Sequence, residues 1–396
     1  MLRVFVDCDF CDMAHLRTEV TFVDYMRDRK DSDVHVLVTT ESTGGGGIAW
    51  TLKFIGLGRF QGQERTLTFN TPQTATEDAQ RKEFARIVKI GLISYAVDTA
   101  AMPRLDVSYK AVSSNTVPAK TKDPWNHWVF RVSANGNQRG EQSTSNKSYR
   151  INGSASRTTQ NWKVSVFGDR NESRSSYDLG DGEPFKSRSS SWSSSALVVK
   201  SAGPRLSFGL NTSTSGSTYS NQDFAFSAMP GVEFDVFPYA ESTRRSLTFT
   251  YAAGLAYYNY KDETIFFKAK DAVPQHSAGA SLGMQQPWGS IGASINYSQQ
   301  LQHLDRYNLG VYGNADVRLF KGFSFNFFGD YSRIRDQINL KRGSASTEDV
   351  LLRLRQLQSG YSYSLGFGLS YSFGSIFNNV VNPRYGGGGG RRFFFF

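Results

Sequence analysis

Residues 361–373 read YSYSLGFGLSYSF and alternate without a fault. Tyr361, Tyr363, Leu365, Phe367, Leu369, Tyr371 and Phe373 share one face; Ser362, Ser364, Gly366, Gly368, Ser370 and Ser372 share the other. Strand side chains point to opposite faces with period 2, so this is a strand with one greasy side and one small, polar side. It spans 13 residues, where strands of soluble sheets usually run about 5–6. A long, tilted strand that is apolar outside and polar inside is what a membrane-spanning β-barrel requires.

The pattern begins near residue 126. Trp128, Phe130, Val132 and Ala134 face one way, opposite Arg131, Ser133, Asn135 and Asn137. Further strands read as 147–158, 161–173, 188–200, 204–217, 223–237, 245–260, 275–286, 289–301, 306–320, 322–337 and 360–375, giving 12 in all. Their connections alternate in length. TTQN, SAGPR, FPYAESTRR, QPWGS and FKG are short, whereas 174–187, 261–274 and 338–359 are long. Short periplasmic turns alternating with longer external loops mark an outer-membrane barrel, and an even count returns the C-terminus to the periplasmic side. A soluble sandwich would need ordinary strand lengths and apolar faces opposed in a core.

Composition is compatible with that reading. Mean hydropathy is -0.42, and no stretch approaches the roughly 18 apolar residues of a transmembrane helix; the best candidate, 87–97, carries Lys89. Alternation dilutes the hydropathy of a barrel strand, so such a test passes barrels over. The 30 Phe and 19 Tyr suit interfacial aromatic girdles. Residues 1–123 carry 16 basic and 16 acidic side chains, so the net charge of +10 falls on the rest. That excess is scattered along strands and loops, which argues against nucleic acid as a partner. MLRVFVDCDF has no apolar core of a signal peptide, so the numbering is expected to begin near a mature N-terminus.

Residues 1–110 have mixed periodicity and read as one α+β domain in the order β-α-β-β-β-α-β. Strands are expected at 3–8, 34–40, 48–56, 65–69 and 105–109. Met13, Leu16, Val20 and Val23 repeat at helical spacing. Thr74 and Glu77 form a capping box opening a helix that carries Phe84, Ile87, Val88, Leu92 and Tyr95 on one face. Residues 111–124 read as a linker, 125–376 as the barrel and 377–396 as a tail ending GGGGGRRFFFF.

Several strings carry a resemblance: RVFVDCDFCD (3–12), RDRKDSDVHVLVT (27–39), TGGGG (43–47), FPYAESTRR (237–245), QPWGS (286–290) and GSIFNNVVNPRY (374–385). The chain resembles uncharacterised outer-membrane β-barrel proteins of diderm bacteria with an N-terminal soluble domain. The resemblance implies an outer-membrane location, a periplasmic N-terminal domain, and membrane lipid and the barrel-assembly machinery as partners. It implies no reaction. Barrels commonly finish on the last strand with a terminal aromatic; this chain runs on past it.

Three constellations invite chemistry. Cys8 and Cys11 form C-x-x-C, read as a small structural disulfide in an oxidising compartment; free thiols, a redox pair or a zinc site with His15 and His35 are the other readings. Residues 44–47 lack the Gly-Lys-Ser/Thr of a phosphate loop and read as a hairpin. His276 and Ser277 are adjacent on a strand and so face opposite ways, which defeats a nucleophile–base pair. No enzyme, metal or cofactor is expected. Strand parity instead nominates a lumen-lining set, which either sets pore selectivity or pairs across a plugged lumen to stabilise it: Arg131, Arg150, Lys163, Asp169, Glu233, Asp235, Asp316, Arg318 and Asp330.

Two functions follow. One is a pore or transporter for small solutes, with the basic balance favouring anions. The other is a membrane-anchored assembly, secretion or interaction scaffold whose N-terminal domain docks a periplasmic or secreted partner. Residues 347–358 (TEDVLLRLRQLQ) are apolar for an external loop and suggest a lid, a partner site or strand extensions beyond the membrane.

Overall fold

The computed structural model describes residues 1–8, 10–106, 123–178, 180, 182–346 and 354–379. The described chain forms two compact units. The first comprises 1–106 with 318–325 and 369–379, and the second 123–317 with 326–368. Much of the expected linker, residues 107–109 of the expected last strand of the α+β domain, 347–353 of the apolar loop and most of the tail lie outside the described residues.

In the first unit, β1 (Leu2–Asp7), β2 (Val23–Tyr25), β3 (Val34–Ser42), β4 (Ile48–Gly56) and β5 (Glu64–Thr71) form a sheet in the order β2-β1-β3-β4-β5. β1 is parallel to β2 and β3, and the rest is antiparallel. Helices α1 (Met13–Glu19) and α2 (Glu77–Ala96) complete it. One face of α2 meets the sheet, so that Val4, Val36, Leu52, Phe54, Phe84, Val88 and Leu92 share a single core. Each such side chain removed from water stabilises by about 1.5–3 kcal/mol. Gly91 lets α2 approach closely, because a Cβ there would collide with the Phe54 ring. Central strand β3 is buried on both faces, as a strand with a parallel neighbour tends to be.

Two local expectations are corrected. The α2 cap is Thr76, whose hydroxyl accepts the Ala79 N–H at 3.2 Å, not Thr74. A turn closed by Ala75 N–H to Pro72 O carries the chain past Thr74 before the helix begins. Val23 lies in β2 rather than on α1; helical spacing from Val20 was a coincidence of a very short strand. The outer edge of β2 is occupied. Arg27 N–H donates to Ile376 O, Asn378 N–H to Tyr25 O, and Met26 bridges Phe377. Asn379 accepts Tyr25 N–H at 2.5 Å and donates to Asp24 at 2.9 Å.

The long strands are β6 (Trp128–Gly140), β7 (Thr144–Thr158), β8 (Trp162–Tyr177), β9 (Phe185–Ser201), β10 (Leu206–Ser217), β11 (Gln222–Asp235), β12 (Arg245–Tyr260), β13 (Lys270–Gln286), β14 (Gly289–Gln300), β15 (Tyr307–Phe320), β16 (Phe323–Ile334) and β17 (Tyr361–Tyr371). Each pairs with its sequence neighbours in one 12-stranded sheet. At 11–17 residues they have the length the alternation required. β8 and β9 run further than expected, to Tyr177 and from Phe185, so the connection expected at 174–187 is shorter. Glu172 stitches this extension, bonding Arg174 at 2.6 Å and Arg188 at 3.0 Å. Among the described residues the ladder runs from β17 to β6, and no pairing joins its two ends.

Candidate functional site

Directly opposed residues of an antiparallel pair point to the same face, so the register sorts the long-stranded sheet into two surfaces. One row runs Glu233–Thr250–Gly279–Asn296–Gly310 from β11 to β15. Another runs Ser133–Asn152–Asp169–Ser193 from β6 to β9. The opposite surface is apolar and uncovered: Val132 is 81% exposed and Phe367 75%, with Ile151, Phe208, Phe249 and Ile295 also exposed. Glycine surroundings fix the last strands. A Cβ on Gly368 would meet the Asn326 side chain, and one on Gly329 would meet Leu365 and Phe327. Leu365 therefore shares the apolar face, and Gly368 the polar one. Aromatic Phe167, Tyr312 and Phe328 break the rule on the polar side.

Parity places all nine nominated charges on the polar surface, but they do not form one ring. Arg150 pairs with Asp169 at 2.5 Å. Asp235 accepts the Thr248 hydroxyl at 2.6 Å. Lys163, Glu233 and Asp235 line a cavity of about 700 Å³ at the short-turn end of β8–β12. Arg131 lies opposite Ser154 and Asp316 opposite Ser290, while Asp330 sits two residues from Ser332. Arg318 departs from its expected role. Its guanidinium grips the Asp7 carboxylate at 2.6 and 2.7 Å, within the first unit. With Arg318 engaged there, carboxylates outnumber cations in the set. The expected anion preference is therefore not supported by this face; Arg157, Arg174, Arg188 and Arg245 carry the basic excess on the opposite parity.

The long-loop end is interlocked. Asn221, held at φ 54°, donates to Asp262 O at 2.9 Å and Asn339 O at 3.1 Å. Asn339 donates to Ser220 O, Gln356 N–H to Tyr219 O, and Ile265 N–H to Leu340 O. Ile338 and Leu340 are buried here, as are the polar-face residues Ala225, Ala256 and Val273. Apart from Tyr260, these are the buried apolar residues of the second unit among the described residues.

In the first unit, Asp7 also accepts from His35 Nε2 at 3.1 Å, and His35 is fully buried. Burial works to raise the Asp7 pKa, but the bonds from His35 and Arg318 outweigh it and hold the carboxyl below its ordinary range. Burial lowers the His35 pKa more than Asp7 raises it, so the imidazole stays neutral. Cys8 and Cys11 are disulfide-bonded with Cα atoms 5.6 Å apart. His276 packs between Tyr251 and Tyr297 on the apolar surface, with Ser277 on the other.

No family model matches the chain, and no curated protein matches it. Solved structures to which the chain is similar include two membrane-protein chains. NanC porin is 8% identical, with 61% of this chain and 99% of that one covered and a TM-score of 0.30. The translocator domain of the autotransporter NalP from Neisseria meningitidis is 14% identical, with 62% and 81% covered and a TM-score of 0.19.

The sequence did not single out Leu197, Val199 and Met229, which the register places on the polar surface inside the 700 Å³ cavity. The signal was present: LVV at 197–199 breaks the alternation that the serines of β9 otherwise keep. Nor did it join Asp7 to Arg318, which lie 311 residues apart.

Proposed function

We propose that the 12-stranded sheet closes as an outer-membrane β-barrel that passes small solutes, with the N-terminal unit in the periplasm. The observation that carries this reading is the uncovered apolar surface backing a surface of Ser, Gly, Asn and charge. Exposed apolar area of that extent marks a membrane or partner surface, and the polar rows on its reverse suit a water-filled interior. β6 and β17 run antiparallel in a sheet of 12 sequential strands, as closure requires. The interlocked loops act as a gate at the external end. The balance of carboxylates in the nominated set favours cations.

Single-channel recording of the full chain in planar bilayers tests this. Discrete steps with a cation-selective reversal potential are expected, opening more often in Asn221→Ala and Asn339→Ala. Absence of steps from inserted, folded protein, wild type and variants alike, would overturn the transport reading. It would promote the scaffold reading, which one feature favours: β5 is the outermost strand of the first sheet and is largely exposed, a template for an added strand from a partner.

A further inference from the structure

The polar surface of the long-stranded sheet is made largely of small and hydrophilic side chains; apart from Phe167, Tyr312, Phe328 and the buried cluster at the long-loop end, it carries an apolar island at the short-turn end. Leu197 and Val199 of β9 and Met229 of β11 point to the side of Ser195, Ser201, Asn211 and Glu233. No lipid contact requires them there. They line the 700 Å³ cavity, and Gly209 opposite Gly231 keeps its wall free of side chains. Glu233 and Asp235 line the same cavity, Asp235 being oriented by the Thr248 hydroxyl; Lys163 is its single cation among the strand positions. The volume falls in the range of small-molecule sites, which combine an apolar lining with a few placed polar groups. Local departure from an otherwise consistent pattern is where function is expected.

We infer that this cavity is a binding site for a small organic cation with an apolar body. The body lies on Leu197, Val199 and Met229, and the cationic group faces Glu233 and Asp235. Lys163 offsets one of the two carboxylates, so charge alone holds a cation weakly and the apolar half of the ligand is needed as well. The inference rests on the proposed barrel, whose interior this surface would line, and gives that barrel a solute class.

The test uses the full chain in lipid nanodiscs and calorimetric titration with two probes of similar body and opposite charge, benzyltrimethylammonium and benzoate. Saturable binding of the cation is expected, with benzoate at least about tenfold weaker, a difference of about 1.4 kcal/mol. Glu233→Gln with Asp235→Asn should weaken the cation about tenfold or more. Leu197→Ser should weaken it several-fold without restoring benzoate. Glu172→Gln, on the opposite parity, should change nothing. Should the double substitution fail to insert, Asp235→Asn and Leu197→Ser singly carry the test. Equal binding of both probes, no saturable binding, or indifference to these substitutions would overturn the inference. Binding does not require conduction, so the two readings fail separately. Silent bilayers with intact cation binding sink transport alone, and conduction without saturable binding sinks the site alone.

Discussion

The two units solve opposite problems with similar residues. In the first, Phe54, Leu52 and Val88 turn inward and polar groups cover them; in the second, Phe249, Leu365 and Phe367 turn outward and the polar row lies behind them. Both use Phe, Leu and Val on alternating strands, so composition alone cannot tell them apart. What separates them is length and coverage. Strands of three to nine residues share a core with α2, whereas those of 11–17 have nothing laid on their apolar side among the described residues. An inside-out arrangement is stable only where the surroundings are as apolar as the surface they meet.

The largest effect should come from the buried core. Phe54→Ala removes a ring packed against Gly91 and should cost the first unit about 3–5 kcal/mol, read by chemical denaturation followed through Trp50. The same truncation at exposed Phe249 should cost far less in detergent, and equal losses at the two sites would break the comparison.

Next is a charge on the uncovered face. Phe367→Arg should cost about 2–4 kcal/mol if that position lies near the bilayer midplane, measured by reversible folding into vesicles. Ser364→Arg, on the opposite parity, should be tolerated much better. A one-residue slip reverses every facing, so the reverse ranking would overturn the assignment.

Acid should separate the units. The Asp7 carboxyl is held below its ordinary range, so its contribution is present above the unfolded carboxylate pKa and lost as pH falls through the native one. The His35 pKa is also depressed: below about pH 6.5 the unfolded chain takes up a proton that the native imidazole refuses. Stability of the first unit should therefore decline as pH falls from 7 toward 5, and decline more steeply below about 4. His35→Gln should flatten the upper part of that profile. A first unit whose melting temperature is independent of pH across this span would contradict the buried pair.

The smallest effect belongs to the disulfide. Replacing Cys8 and Cys11 together by Ser frees a very short loop, so about 2 kcal/mol or less is expected. Insertion of the long-stranded sheet should be unchanged. Two free thiols in the unfolded, unreduced protein would remove the bond from the account.

Facing was legible because it follows from period 2 alone: Arg131, Arg150, Asp169 and Asp316 share the parity of Ser, Gly and Asn neighbours in the ladders. Strand ends were less legible, since beyond the apolar band both faces turn polar, as at Glu172, Arg174 and Arg188. β2 was missed because three residues are too few to show a period. The Arg318 contact was not legible, because its partner, Asp7, is fixed by tertiary placement that no local pattern encodes. The cavity was overlooked for a related reason: its lining comes from six strands and the turns that join them.

The pairing of 376–379 with β2 has a consequence in time. Synthesis delivers the first sheet early, yet the segment that finishes its edge is encoded some 350 residues later. Until then the β2 edge presents unpaired N–H and C=O groups, a surface open to wrong partners. The chain thus carries its own late-arriving cover, and a product cut short before residue 376 would expose that edge permanently. Synthesis of residues 376–379 and protection of the first sheet's edge become a single event.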